Sequence, residues 1–232
     1  MLRDNTQRAR QTLLLFWIII TINVVLIFIN FIYTTLPAGL DITSSDSFAP
    51  VLVLLDGLLE IAYVAIMVLA TVFFLQWFRR AYFNLQLAGR WPEHTDGWAV
   101  GAWFVPFMNL VRPYSIMKEI WHDTNDMASR NRDHTLMSWW WAAYLVHSVM
   151  SNAASKNTVD DVTMRALQSA VVLNIMSCMF SIISAYLTIR VVQYVHRSEQ
   201  DSQLFQQVKQ LGGAAPLPDS DDLQPTSEEN YG

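Results

Sequence analysis

The chain has 232 residues, of which 53% are hydrophobic and only 15% are charged, and it contains nine tryptophans. This composition excludes an ordinary soluble domain and indicates a single all-α membrane domain. The formal net charge of −5 leaves no basic excess for binding nucleic acid. The single cysteine, Cys178, excludes an intrachain disulfide and a cysteine-based zinc site.

The first apolar run predicts a membrane anchor that is not cleaved. Residues 13–36 are almost uniformly apolar and follow three arginines, Arg3, Arg8 and Arg10. A signal peptide has a similar basic start, but its apolar core is only about 7–15 residues long. We therefore predict a cytoplasmic N-terminus over residues 1–12 and a first crossing over residues 13–36.

Three further crossings complete a predicted integral membrane four-helix bundle, at about residues 50–78, 136–153 and 165–193. The second crossing starts at Pro50, which suits the first turn of a helix, and Gly89 is expected to cap its continuation beyond the bilayer. The membrane domain is expected to end at residue 195. The polar residues 196–232 predict a disordered acidic tail.

A segment rich in tryptophan, glycine and proline lies between the second and third crossings. Its apolar part, Trp98–Val111, would rise only about 21 Å as a helix, less than the roughly 30 Å of a bilayer core. Pro106 interrupts it, so we predict a cytoplasmic re-entrant or interfacial helical element over 97–124. Its second half is expected to be an amphipathic helix with four apolar residues on one face, namely Ile116, Met117, Ile120 and Trp121.

The basic residues set the predicted orientation. With four crossings, thirteen of the fifteen lysines and arginines fall on one side, and only Lys156 and Arg165 fall on the other. Basic residues near helix ends mark the cytoplasmic side. Both termini are therefore expected to be cytoplasmic.

Each predicted crossing carries polar residues on one face, and lipid would penalise such a face unless it turns inward. Five of these residues are expected at a similar depth, about 8–15 Å below the outer surface: Asn30, Asp56, Glu60, His147 and Asn174. Asp56 and Glu60 are one helical turn apart and cannot both stay charged cheaply in a low dielectric. One of them is expected to be neutral or to face a cation such as His147 or Arg165.

Three interpretations of this polar layer remain open. The layer can be a set of hydrogen bonds that fixes helix register, or a site for a proton, an ion or a small solute. A metal site from Asp56, Glu60 and His147 has suitable ligand types but no diagnostic spacing. The pair Glu119-x-x-His122 is expected to be a solvated surface. No catalytic motif is present, so no catalytic residue, cofactor or metal is predicted.

Three sequence stretches resemble a bacterial membrane-protein family catalogued as domain of unknown function 4328: WFRRAYFNLQLAG (77–89), GWAVGAWFVPFMNLVRPYSIMKEIW (97–121) and SWWWAAYLV (138–146). The resemblance covers about residues 50–195. The family motifs fall on Trp77, Arg80, Ala81, Asn84, Trp98, Ala99, Gly101, Trp103, Phe104, Pro106, Asn109, Leu110, Arg112, Pro113 and Tyr114. The resemblance implies a multi-pass protein of the bacterial plasma (inner) membrane and supplies no established activity.

The motifs suggest one structural hypothesis. Arg80 and Asn84 are expected to hydrogen-bond the carbonyl groups that Pro106 and Pro113 leave without helical partners.

The leading functional interpretation is a non-enzymatic membrane scaffold, accessory subunit or regulator. Its expected partners are the lipid bilayer, a membrane or cytoplasmic protein and a second copy of the chain, with no nucleic acid. The alternative is a small-solute or proton-coupled transporter that uses Asp56, Glu60 and His147. A membrane-embedded hydrolase ranks third.

Overall fold

The computed structural model describes residues 2–37, 48–128, 134–155 and 164–212, and these residues form helices and no strand. The helices are α1 (Thr6–Thr35), α2 (Ala49–Leu87), α3 (Trp98–Gly101), α4 (Arg112–Met127), α5 (Thr135–Ser155) and α6 (Met164–Gly212), with a 3₁₀ helix at Met108–Leu110. Within the described residues, three helices are long and apolar enough to cross a membrane: α1, α2 and the part of α6 over Ala170–Phe205. The fourth crossing, through α5, stays a prediction.

The predicted cap of α2 is confirmed at Gly89. This residue has φ of 77°, a left-handed conformation that glycine adopts without a steric penalty. The Gly89 N–H donates to the carbonyl of Gln86, and the Arg90 N–H donates to the carbonyl of Leu85. These two bonds satisfy the last carbonyls of the helix and stop it there.

The helices pack so that α1 and α6 are the central pair. α2 packs on α1, and α5 packs on α6, whereas α2 and α5 are not an extensively packed pair. α4 packs on α6 and α2, and α3 packs on α2. These shorter helices cover the end of the helix bundle at which the chain's N-terminus lies, and we call it the covered end. A gap therefore runs between α2 and α5 beyond this covered end.

The covered end contains an aromatic cluster, which comprises Phe74, Phe78, Trp103, Trp140 and Trp141. The rings of Phe74 and Trp103 are 5.6 Å apart, and those of Phe74 and Trp140 are 6.4 Å apart, so α2 and α5 meet here. Aromatic pairs contribute roughly 0.5–1.5 kcal/mol each beyond the area they bury. The cluster thus holds the outer helices together at this end.

The segment between α2 and α4 does not form a spanning helix. After the single turn of α3, the chain passes through turns and the 3₁₀ helix to Val111. Phe107 has φ of 62°, which is strained for a residue with a side chain. The Phe107 and Phe104 side chains are 85% and 70% exposed. The insertion of this segment into the bilayer stays a prediction.

The prediction of a disordered tail from residue 196 differs from the structure over residues 196–212, where α6 continues without a break to Gly212. The polar residues just past 195 are buried: Ser198, Glu199 and Ser202 are at most 5% exposed. Ser198 donates a hydrogen bond to Asn125 of α4. The polar composition of this stretch predicted disorder, but the stretch is helical. Its polar side chains hydrogen-bond to neighbouring helices, Ser198 to α4 and Glu199 to α2. Residues 213–232 of the predicted tail, and Lys156 with the side chain of Arg165, lie outside the described residues.

Candidate functional site

A cavity of about 330 Å³ lies between the four long helices, where the gap between α2 and α5 begins. It is lined by Phe16 and Ile19 of α1; Tyr63, Met67, Thr71, Phe74 and Leu75 of α2; Trp103; Trp140, Tyr144, His147, Ser148, Ser151 and Asn152 of α5; and Ser181, Ser184, Ala185 and Thr188 of α6. At the covered end of the helix bundle, the cavity is bounded by Phe74, Trp103 and Trp140 of the aromatic cluster. Among the described residues that line the cavity, none is an aspartate, glutamate, lysine or arginine.

Several polar side chains of the cavity bond to one another or to the backbone. The Tyr63 hydroxyl and the Ser181 hydroxyl are 3.2 Å apart and link α2 to α6. Trp140 Nε1 donates to Thr188 Oγ1 over 3.0 Å. The Thr188 hydroxyl in turn donates to the carbonyl of Ser184. These groups position the helices and need no ligand.

Two ring nitrogens of the cavity residues lack such partners. Within the part of the chain that the structure describes, Trp103 Nε1 and His147 Nδ1 are buried and make no hydrogen bond. A buried donor or acceptor without a partner costs roughly 1–3 kcal/mol. Both nitrogens are closed off from the open volume of the cavity, so they stay unsatisfied within the packing of the helices.

The predicted polar layer is divided between different environments. Asp56 accepts a hydrogen bond of 3.2 Å from the hydroxyl of Tyr33. Tyr33 is buried, and the sequence analysis did not include it in the layer. Asn30 is buried and donates its amide to the carbonyl of Leu26 in its own helix.

Within the described residues, no such hydrogen bond joins the other three members of the layer to a neighbour. Glu60 is exposed, Asn174 is half-buried, and half-buried His147 lines the cavity. The roles proposed for these residues stay predictions, because the described contacts serve helix register as well as they serve a site.

A polar junction joins the N-terminus to α2 and α6, and it is formed by Asn84, Asn5, Glu199 and the backbone of Arg3. Asn84 Oδ1 accepts from the Arg3 N–H over 3.0 Å, and Asn84 Nδ2 donates to the Arg3 carbonyl over 3.0 Å. The same amide lies 3.1 Å from Glu199 Oε1. Asn5 Nδ2 donates to the carbonyl of Trp77. Ahead of α1, hydrogen bonds from Thr6 lower the pKa of Asp4 below its usual value.

These contacts correct the hypothesis about Arg80 and Asn84. Asn84 is fully used by the N-terminus and α6. Arg80 lies near the charges of Arg3 and Arg8, and within the described residues it makes no hydrogen bond to the proline-rich segment. The Leu110 carbonyl, three residues before Pro113, accepts from Trp141 Nε1 over 3.2 Å. A tryptophan of α5 therefore performs the role that we predicted for α2.

Several of the remaining motif residues also build the covered end, whereas Phe104 and Leu110 are 70% and 50% exposed. Trp77, Ala81, Ala99 and Pro113 are buried. The Arg112 guanidinium lies 5.4 Å from the centroid of the Trp98 ring, within the range of a cation–π contact. A Cβ atom at Gly97 or Gly101 would meet only ordinary contacts, so this pair does not mark a close helix approach.

Glu119 lies in a polar contact that the sequence reasoning did not foresee. It accepts hydrogen bonds from the Tyr82 hydroxyl over 2.7 Å and from the Glu93 N–H over 3.1 Å. Its carboxylate, that of Glu93 and a ring nitrogen of His94 lie within 4.8 Å of one another. Arg112 Nη1 is 3.2 Å from the His94 ring, so a cation already occupies this neighbourhood. Glu119 thus pairs with α2 and with the loop before α3. The His122 ring instead meets the His134 ring edge to face, with the ring centroids 4.2 Å apart.

These features define an all-helical protein with three helices suited to cross a bilayer, a cavity between its long helices and a tightly packed end. The chain belongs to the family described as Domain of unknown function (DUF4328), whose family model matches residues 40–197. This confirms the resemblance carried by the three motifs. No curated protein and no solved structure matches the chain.

Proposed function

We propose that this protein is a non-enzymatic accessory or scaffold protein of the bacterial plasma membrane, with both termini in the cytoplasm. The observation that carries the proposal is that the cavity ends at the aromatic cluster. Phe78 is fully buried there, and Trp140 is 2% exposed. A conduit for a solute would have to open through this packed end, whereas an accessory protein benefits from its rigidity.

The C-terminal part of α6 supports contact with a protein partner. Beyond the buried Ser202, the side chains of Leu204, Phe205 and Val208 are 60%, 60% and 66% exposed. In the proposed topology the last crossing ends at about residue 193, so Leu204, about 21 Å beyond Arg190 along the helix, would lie outside the bilayer. Leu204 and Val208 are one helical turn apart and therefore lie on the same face of α6. The apolar face of an amphipathic helix from a partner protein can pack against such a pair. We assign such a helix as the occupant of this surface.

The alternative of a transporter has one specific observation in its favour. His147 lines the cavity, and within the described residues its buried Nδ1 makes no hydrogen bond. Asp56 Oδ1 is likewise buried and makes no hydrogen bond there. Ionisable groups inside a bilayer commonly belong to proton or ion paths. A transporter would need the cavity to open to the cytoplasm as well as to the other side.

Cysteine accessibility tests the proposal against this alternative. In a Cys178→Ser background, Thr71→Cys and Ser151→Cys place a thiol in the cavity lining, and Leu204→Cys is the cytoplasmic control. A membrane-impermeant maleimide is applied to right-side-out and inverted vesicles. We expect the cavity thiols to stay unlabelled from the cytoplasmic side while Leu204→Cys reacts. Cytoplasmic labelling of Thr71→Cys or Ser151→Cys would overturn the proposal in favour of transport.

A partner requires its own measurement. A photo-reactive amino acid at Val208 is expected to form a discrete protein adduct in intact cells. The neighbouring exposed position Gln207 provides the matched control and should give less adduct. An adduct at the mass of two chains would identify a second copy, and equal yields at both positions would remove Val208 from the interface.

A further inference from the structure

We propose that the polar junction between the N-terminus, α2 and α6 is a pH-sensitive latch, in which a proton on Glu199 keeps the N-terminal segment closed on α2. When that proton leaves, the charge on the buried carboxylate loosens the junction. The latch is a property of the packed helices and is independent of the accessory role proposed above.

Side-chain amides hold the N-terminal segment on α2. Asn84 bonds both backbone groups of Arg3. Asn5 Nδ2 donates to the Trp77 carbonyl over 3.2 Å. The Asn84 amide also donates to Glu199 Oε1 over 3.1 Å, which joins α6 to these contacts. The position of the Asn84 side chain, and with it that of the N-terminal segment, therefore depends on the Glu199 carboxyl group.

Two buried oxygen atoms of the junction lack a donor. Within the described residues, Glu199 Oε2 and Asn5 Oδ1 have almost no accessible surface and accept no hydrogen bond. The bond from Asn5 Nδ2 to Trp77 fixes which end of the Asn5 amide is the oxygen, and this amide lies beside the Glu199 carboxyl group. A carboxylate and an amide oxygen only accept, whereas a protonated carboxyl group has one O–H donor. A proton on Glu199 is therefore the smallest change that supplies the missing donor.

The surroundings of Glu199 favour this proton. Glu199 is 5% exposed and lies beyond the last predicted crossing. Burial raises the pKa of its carboxyl group to about 7, although hydrogen bonds from Asn84 and Asn5 offset part of the rise, and the negative charge of Asp4 adds to it. Among the described residues, no lysine, arginine or histidine forms an ion pair with Glu199. The charged form is therefore the unfavourable one in the closed junction.

Other titratable groups near this carboxyl group come from the elements packed around it. The N-terminal segment contributes Asp4 and Arg3, and α2 contributes Arg80, which lies near both of them. α4 faces this stretch of α6 with the neutral Asn125. On α6 itself, burial lowers the pKa of His196, and Asp4 offsets part of that effect. The titration of His196 must therefore be separated from that of the carboxyl group.

The raised pKa predicts that the latch weakens as the pH rises. An exposed glutamate releases its proton near the usual pKa of 4.5, whereas Glu199 in the closed junction keeps its proton up to about pH 7. Below about pH 4.5 the closed and the open junction bind the same number of protons, so the latch is strongest there. Between these values the closed junction binds more protons, so its stability falls with rising pH and stays low above about pH 7.

Amide hydrogen exchange of the full chain in detergent micelles tests the latch. At each pH, the exchange rate of residues 2–8 in the parent is divided by the rate in Glu199→Gln, which keeps an acceptor for Asn84 and cannot ionise. Comparing the two proteins at one pH cancels the pH dependence of the intrinsic exchange rate. We expect the ratio to rise at least tenfold, on the order of what the pKa shift allows, between about pH 4.5 and pH 8.

Two controls accompany this ratio. In a His196→Gln background it should rise as steeply, because His196 is not the latch. Residues 104–110 lie outside the junction, and their ratio should stay constant. A constant ratio for residues 2–8, or a rise that disappears in the His196→Gln background, would overturn the proposal.

A second measurement does not depend on the folding of Glu199→Gln. Asp56→Asn and Glu60→Gln together remove the two carboxyl groups of the predicted polar layer and leave Glu199 in place. In this background, the infrared band of a protonated carboxyl group should persist to about pH 7. Complete loss of the band by about pH 5 would show that Glu199 is charged in the closed junction and would also overturn the proposal.

Discussion

Asn84 hydrogen-bonds both backbone groups of Arg3, each over 3.0 Å, although the two residues are 81 positions apart. The side-chain amide imitates a backbone peptide and holds the extended N-terminal segment against the end of α2. Its nitrogen also reaches Glu199 of α6. One buried amide therefore connects three separate segments of the chain.

Asn84→Asp is predicted to destabilise the protein strongly. Aspartate keeps the acceptor for the Arg3 N–H, but it loses the donor and places a second carboxylate beside Glu199. Breaking buried hydrogen bonds and adding an unpaired charge should cost about 2–4 kcal/mol. Thermal unfolding in detergent should show a clear drop in Tm, with the exposed Gln76→Ala as a control that stays near the parent. An unchanged Tm for Asn84→Asp would mean that the N-terminus is not held in this way.

Glu199→Gln is predicted to stabilise the protein at pH 8. The Glu199 side chain is 5% exposed, and within the described residues its Oε2 makes no hydrogen bond. Glutamine keeps an oxygen that accepts from Asn84 and removes the cost of burying a charge. We expect a Tm equal to or above that of the parent, whereas Glu199→Ala, which loses the acceptor, should have a lower Tm. A large loss of stability in Glu199→Gln would show that a cation pairs with this carboxylate.

Trp141→Phe is predicted to loosen the segment before α4. Phenylalanine retains the packing against Tyr144, whose ring lies 5.1 Å from that of Trp141, but it cannot donate to the Leu110 carbonyl. The loss should cost about 1–3 kcal/mol and speed amide hydrogen exchange over residues 104–112. Trp139→Phe is the matched control, because Trp139 is 66% exposed. Similar exchange in the two variants would argue against the hydrogen bond.

Phe107 is predicted to lie among lipid chains. A strained φ of 62° at a residue whose side chain is 85% exposed suggests that the exposure serves a purpose. In a Cys178→Ser background, an environment-sensitive dye on Phe107→Cys should emit at shorter wavelength in vesicles and be quenched by lipid-attached nitroxides. The same dye on Trp91→Cys, a position that is 97% exposed, serves as a comparison. Quenching of the Phe107 dye by aqueous iodide alone would contradict insertion.

The helices were predictable because their signals are local. Apolar length predicted α1, α2 and α6, and the conformational demand for glycine placed the end of α2 at Gly89. The buried face of α4 also follows the predicted periodicity, with Ile116 and Ile120 fully buried. Each of these features depends on residues within a few positions of one another.

The long-range contacts were not predictable in the same way. The partner of Asn84 lies 81 residues away, and that of Trp141 lies 31 residues away. No periodicity in either segment encodes such pairings. The extension of α6 past 195 was missed for a related reason, because Ser198 and Glu199 are polar residues whose burial depends on α4 and the N-terminus. The cavity depends likewise on how α2 and α5 diverge, which only the assembled helices reveal.

The length of α6 has a mechanical consequence. Its 49 residues would measure about 74 Å as a straight helix, more than twice the thickness of a hydrocarbon core. The stretch from Arg190 to Gly212 alone accounts for roughly 33 Å. Since the first part of this stretch is clamped by α4 and the N-terminal residues, it behaves as a stiff spacer. In the proposed topology, a partner bound at its end is held at a set height above the lipid surface, in an orientation that the membrane domain dictates.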